Sequence, residues 1–394
     1  MNRCFIALGL ITIWIVGLAG CGCEHKKEEV KMLQKLAIST ETSLYPEAGF
    51  TKGVSGAFGG ALGEWTIYGG GCNFPDKGPS EGGTKKYYRS VYGLRDGETR
   101  RIGELVAPIA YGTSIPSSDG KRLYFVGGSD GTKAYDTIHE VTAEGVKLLD
   151  TKLPSGWFEG SGAYSGDSLY LAGGWVADGV PMDSLVQVNI KTGEHHTLAA
   201  LPDGARIQCV SFILDGYFYI FGGHRPAVGL EQPPYMHEKA YRISIHAESP
   251  QWELVAERPT LENGRKLLFV GSTVAVEPTT KQVYVVGGVD WEVFEPAIMR
   301  GFNKAIATKE GNEALLDRYA EEGKAYMSMK EEDYHFMPHI IRFIPETNGW
   351  EIVATDNALA TAGAVLAVSP EAATVIGGER KPGVRTFNAW RQIL

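Results

Sequence analysis

The chain has 394 residues and a formal charge of −9, from 38 Lys and Arg against 47 Asp and Glu. That balance excludes nucleic acid as a main partner, because phosphate binding needs a basic surface. With 43% hydrophobic and 22% charged residues the chain is a folded one, and its five cysteines are too few for a disulfide scaffold.

Residues 1–20, MNRCFIALGLITIWIVGLAG, place Arg3 ahead of an apolar run from Phe5 to Val16. The run is shorter than the ~20 apolar residues a bilayer span needs, so it predicts an export signal rather than a membrane helix. Leu18-Ala19-Gly20-Cys21 resembles a bacterial lipobox, in which Cys21 is acylated and becomes the new N-terminus. Lipid there would anchor the protein to a membrane, facing the periplasm or the cell exterior. Residues 21–30, with Glu24-His25-Lys26-Lys27-Glu28-Glu29, read as a solvated tether. Loss of Cys4 and acylation of Cys21 leave Cys23, Cys72 and Cys209, an odd number with no pairing pattern and no mark of a nucleophile.

From residue 31 onward a repeat organises the chain. Gly-Gly doublets follow short β-branched or aromatic runs at Gly69-Gly70, Gly127-Gly128, Gly173-Gly174, Gly222-Gly223, Gly287-Gly288 and Gly377-Gly378. Most are spaced by about fifty residues, the period of a Kelch blade. Each run has the composition of a buried inner strand, and the glycines suit a sharp turn where blades crowd an axis. Third strands follow in SVYGL, TIHEV, SLVQVNI, KAYRISI and HIIRFI, and fourth strands in WELV and WEIV, with turns at Asp119-Gly120, Asp215-Gly216 and Asn348-Gly349. Residues 294–335 are rich in Ala, Glu, Lys and Met, with Ala314, Leu315, Arg318 and Tyr319 at helical spacing, which predicts a helical insertion in blade five. The last repeat ends at Ala389–Leu394, only its third strand, so Lys31–Ala37 is expected to supply the fourth and close the ring. The expected fold is all-β, a single six-bladed Kelch-type β-propeller over 31–394.

Two segments carry a resemblance. Gly71-Cys72-Asn73-Phe74-Pro75, followed by Glu81-Gly82-Gly83-Thr84-Lys85-Lys86, resembles the GGANFP…EGG-KK stretch of the Kelch-type N-acetylneuraminate epimerases, or sialic acid mutarotases. Gly378-Glu379-Arg380-Lys381-Pro382-Gly383-Val384-Arg385-Thr386 resembles their GE-x-KPG-x-RT motif. The insertion, ending in Glu332-Asp333-Tyr334, is similar as well, and the resemblance covers about 45–394. The order differs from that of the best-known members: here the NFP segment comes first and the GE-x-KPG-x-RT segment last, which resembles a cyclically permuted branch.

The resemblance implies interconversion of the α and β anomers of N-acetylneuraminate. That reaction needs a base for the anomeric hydroxyl, an acid for the ring oxygen and a cation for the carboxylate. It implies no metal or other cofactor. The resemblance puts proton transfer on Glu379 and a carboxylate-binding or electrostatic role on Arg385. Read from the residues alone, both follow an inner strand, joined by a Lys381-Pro382-Gly383 turn, and Arg380, Lys381 and Arg385 are expected to favour ionised Glu379. Weaker candidates for sugar contact are Asn73, Glu81, Lys85 and Lys86 in the first-blade loop, Arg206 before blade four, His224 and Arg225 after the fourth doublet, and Tyr334 with His335 as a lid. His335 and His339 have metal-like spacing, but Pro338 would break the helix that pairs them. His195-His196 reads as surface, and Gly160-Ser161-Gly162 lacks the context of a nucleotide loop. Two other readings stay open: a non-catalytic propeller binding glycans or protein, and a mutarotase of another sugar acid.

Overall fold

A computed structural model of the protein describes residues 33–394. The expected export signal, Cys21, the tether 21–30 and Cys23 lie outside the described residues. Among the described residues no helix is long and apolar enough to cross a membrane.

Six four-stranded antiparallel sheets follow one another along the chain. Their innermost strands are Phe58–Leu62, Thr113–Pro116, Ser161–Ser165, Val210–Leu214, Thr273–Val276 and Val365–Val368, and each adjoins the next in cyclic order, the sixth returning to the first. The result is a Kelch-type β-propeller. The innermost strands are short and rich in Gly, Ser, Thr and Val, because little volume is left where six sheets converge. At Gly59 a side chain would run into Val365 of the sixth blade.

The runs that precede the doublets are the second strands, such as Trp65–Gly69, Leu123–Val126 and Tyr217–Phe221. They are almost continuously buried, because each blade is covered on both faces by its neighbours. The cores lie between blades. Phe58, Trp65, Ile67 and Val91 of the first blade interlock with Ile109, Leu123, Phe125 and Val141 in and around the second. At roughly 1.5–3 kcal/mol per large apolar side chain buried, these interfaces dominate the stability of the ring.

The doublets do something the repeat alone did not reveal. The second glycine of the doublet in blades two to six, and Gly71 just after the doublet in blade one, donates its N–H to a carbonyl of the following blade: Gly71 to Ile109 (2.8 Å), Gly128 to Trp157 (2.7 Å), Gly174 to Arg206 (2.8 Å), Gly223 to Leu268 (3.0 Å), Gly288 to Thr361 (2.8 Å) and Gly378 to Val54 (2.9 Å). The first glycine lies flat against that same carbonyl, so that a methyl group at Gly222, with φ 57°, would collide with the Leu268 oxygen. Glycine is required by this close approach between blades as much as by the turn.

Gln34–Leu36 pairs with Ala389–Ile393 in the register Gln34 to Arg391, Lys35 to Trp390 and Leu36 to Ala389, completing the sixth sheet. At the adjoining seam an aromatic cluster of Tyr45, Phe50, Tyr68, Tyr88 and Tyr92 fills the space, with Tyr45 and Tyr92 centroids 4.8 Å apart. Two helices interrupt the fifth blade, α1 (Trp291–Glu310) and α2 (Glu313–Ser328). The first starts three residues ahead of the expected 294 because the Asp290 carboxylate caps it, accepting from the N–H of Glu292 at 3.0 Å.

Candidate active site

The segment after the sixth doublet folds into a small hairpin, Glu379–Lys381 with Val384–Arg385, in which Glu379 and Arg385 are direct cross-strand partners. Gly383, with φ 87°, makes the turn, and its N–H donates to Glu379 Oε1 at 2.8 Å. Arg385 Nη1 meets the same oxygen at 3.1 Å. The Arg385 side chain is 3% exposed and that of Glu379 25%, so the cation is enclosed and the anion's side chain is the more open of the two. Arg385 also donates from Nε to Ser55 Oγ at 3.1 Å and lies over the Phe74 ring. Arg380 and Lys381 do not face Glu379, contrary to the expectation from sequence. Arg380 bonds Glu331 and the Asn357 carbonyl, and Lys381 donates to the Met329 carbonyl at 2.8 Å, so both hold the insertion to the hairpin.

Glu379 lines an axial cavity of about 640 Å³, together with Tyr111, Glu159, Gln208, Asp290, Phe294, Tyr326 and Tyr334. That volume lies within the roughly 300–1,000 Å³ usual for small-molecule sites. The wall contributed by the insertion is aromatic. Tyr334 is fully buried, with its ring edge-on to Tyr326 and its hydroxyl donating to the Tyr326 carbonyl. It is a fixed wall rather than a lid. Burial pushes the Tyr326 phenol up to about 12, with the Tyr334 hydroxyl and Glu379 adding to the rise.

The mouth of the cavity is a ring of equivalent positions, one at the entry to each innermost strand: Gly56, Tyr111, Glu159, Gln208, Gly271 and Gly363. All have left-handed φ, at 61°, 62°, 54°, 54°, 71° and 63°. Backbone bonds run around this belt from Tyr111 N–H to Gly56 O (2.8 Å), Glu159 to Tyr111 (2.8 Å), Gln208 to Glu159 (2.7 Å), Gly363 to Gly271 (2.8 Å) and Gly56 to Gly363 (2.9 Å). Three consecutive blades place glycine there, and the other three force a side chain into a conformation that costs of order 1 kcal/mol or more. The Tyr111 hydroxyl contacts Lys85 Nζ at 3.1 Å and Cys72 Sγ at 3.1 Å. Burial raises the Tyr111 phenol strongly, and the Cys72 thiol with it.

The family model for N-acetylneuraminate epimerase matches residues 151–394, more than half of the chain. The chain belongs to the N-acetylneuraminate epimerase family. It is 25% identical over 239 residues to N-acetylneuraminate epimerase 1 of Escherichia coli O6:H1, covering 61% of this chain and 58% of that protein. It is 23% identical over 256 residues to the Vibrio cholerae epimerase (64% and 62%) and 28% identical over 236 residues to that of Pasteurella multocida (59% and 56%). The matched stretch thus spans less than two thirds of each relative. A solved structure, that of YjhT, superposes with a TM-score of 0.45 at 22% identity, covering 60% of this chain and 61% of that one.

Several residues singled out from sequence are not among those lining the cavity of this family member, and most of them have polar atoms bonded inside the protein. Asn73, 2% exposed, donates to the carbonyls of Gly49 and Gly53 at 2.9 and 2.7 Å and accepts from Tyr88 at 2.8 Å. Glu81 accepts from the Gly78 N–H in its own turn, and Lys86 donates to Ala48 O at 2.6 Å. Arg206 is fully buried and donates to Pro202 O (2.8 Å) and Gly222 O (3.3 Å), tying blade four's entry to its second strand. His224 packs edge-on against Phe294 of α1, and burial lowers its pKa to about 4. Arg225 donates to the Pro233 carbonyl at 3.2 Å. His335 ends a short 3-10 turn, while His339 lies in a strand with Nδ1 2.8 Å from Thr355 Oγ1, so the two do not pair. Among the described residues no group of His, Cys, Asp and Glu is placed to hold a metal ion.

What sequence reasoning missed are Tyr111, Glu159 and Gln208. They stand about fifty residues apart, and nothing local marks them. The signal was there in the repeats, since each occupies a position at which other blades have glycine.

Proposed function

We propose that this protein is an N-acetylneuraminate mutarotase, opening and reclosing the sugar's cyclic hemiketal so that the α and β anomers exchange. The observation that carries the reading is the Glu379–Arg385 pair, cross-strand in the family's hairpin and turned so that only the carboxylate reaches the cavity. Family membership and the names of the relatives support the substrate class. The burial of Arg385 favours a positioning and electrostatic role over gripping the substrate's carboxylate. Lys85, whose ammonium lies 3.1 Å from the hydroxyl of Tyr111, a residue that lines the cavity, is then the cation we assign to that carboxylate, reaching it from behind the cavity wall.

The matched stretch begins at residue 151, so the first two blades, with their NFP and EGG segments, fall outside it. Four matched blades of six fit a chain whose order is cyclically shifted relative to its relatives. A closed ring tolerates such a shift, because moving the chain ends leaves every blade neighbour in place. The same proposal places the protein outside the cytoplasm, anchored through lipid on Cys21; labelled fatty acid should enter the wild-type chain and not Cys21→Ala.

The deciding experiment releases α-N-acetylneuraminate with a sialidase and follows both anomers by proton NMR. Wild-type protein should hasten the approach to equilibrium, and no acceleration above buffer would reject the reading. Glu379→Gln should remove the acceleration by ~100-fold or more while sugar binding persists.

A further inference from the structure

Opening a hemiketal needs two proton-transfer groups, and the hairpin supplies one. The belt at the cavity mouth supplies a second carboxyl group. Glu159 enters the third blade and Glu379 belongs to the sixth, so the two stand on opposite sides of the six-membered ring, and both line the same cavity.

Their surroundings are unlike. Glu379 carries Arg385 and the Gly383 N–H on one oxygen. Glu159 accepts from the Trp175 indole N–H at 3.2 Å and from the Gln208 side chain, both neutral donors, and among the described residues it has no ion pair. Burial is the largest influence on Glu159 and raises its pKa above the ordinary carboxylate value, against smaller opposing effects of Gln208, Trp175 and the more distant Lys85. The Tyr87 phenol, pushed up to about 12 chiefly by burial, is also within electrostatic reach of Glu159. Two carboxyl groups whose environments differ in this way are the usual arrangement for dividing acid from base. The backbone agrees: Glu159 has φ 54° where three other blades place glycine, so the side chain is kept against a conformational cost.

We propose that Glu159 is the proton donor to the ring oxygen, acting across the axis from Glu379. This rests on the mutarotase reading above. On opening, Glu379 takes the anomeric hydroxyl proton, the bond from the anomeric carbon to the ring oxygen breaks, and that oxygen takes the Glu159 proton. After the carbonyl turns, the Glu159 carboxylate recovers the proton as the freed hydroxyl adds to the other face, and Glu379 returns its proton to the former carbonyl oxygen. The balance closes without a co-reactant.

The test compares Glu159→Gln and Glu159→Gly with wild type by anomer-exchange NMR across pH, alongside binding of N-acetylneuraminate by calorimetry and thermal unfolding. Both variants should lose ~100-fold or more of the enzyme-dependent exchange, bind the sugar within a few-fold of wild type and lose the alkaline limb of the pH profile. Glu159→Gly should unfold at the same temperature or higher, because its backbone strain is relieved. Exchange within about twofold of wild type in Glu159→Gln, or loss of binding with an unchanged pH profile, would overturn the assignment while leaving the mutarotase intact. A wild type without acceleration would remove both.

Discussion

At the scale of single residues, groups assigned to the substrate differ from groups that hold the walls. Lys85→Met should raise the Kd for N-acetylneuraminate about tenfold and leave that for a neutral hexose unchanged, measured by calorimetry, because only the acid needs the ammonium. Asn73→Ala should do the reverse. It strands the Gly53 carbonyl and the Tyr88 hydroxyl and takes one of two donors from the Gly49 carbonyl, which keeps the Lys52 N–H. A loss of roughly 1–3 kcal/mol in unfolding free energy is expected from buried groups left unpartnered, with little change in KM. Asn73 was legible as important but not for this reason. A polar residue after a strand looks the same in sequence whether it meets a ligand or three groups of its own chain. Glu379 and Arg385 were legible because their motif is contiguous, whereas Glu159 becomes visible only once six repeats are laid over one another.

At the scale of elements, the Gly-Gly doublet is a joint between blades. Gly222→Ala would press a methyl group against the Leu268 carbonyl and strain a residue at φ 57°. It should cost roughly 2–4 kcal/mol in denaturant unfolding, more than a typical surface change. The doublets made the blade count readable from sequence. Their partner carbonyls were not readable, since Gly71 reaches Ile109 and Gly378 reaches back to Val54, and such distances in sequence leave no local trace. The insertion was evident from composition, and its start was misjudged because Asp290, just after the fifth doublet, acts as a helix cap.

At the scale of the whole molecule, buried histidines set the response to acid. His139 and His224 are lowered to about 4, and His237 to about 3, each mainly by burial. The unfolded chain therefore binds protons that the folded one refuses between about 6.5 and 4 or below, and stability falls as pH drops through that window. Thermal midpoints measured from pH 7 to pH 4 should decline steadily, and a flat response would contradict the assignment. Because the glycine run of every blade is bonded to the blade after it, including the last to the first, no blade occupies a terminal position from which the structure can fray. Linear repeat proteins can lose end units singly. A wheel joined at every spoke cannot, so circular dichroism and tryptophan fluorescence should report one coincident melting transition, and a chain cut down to five blades should have no native state to return to.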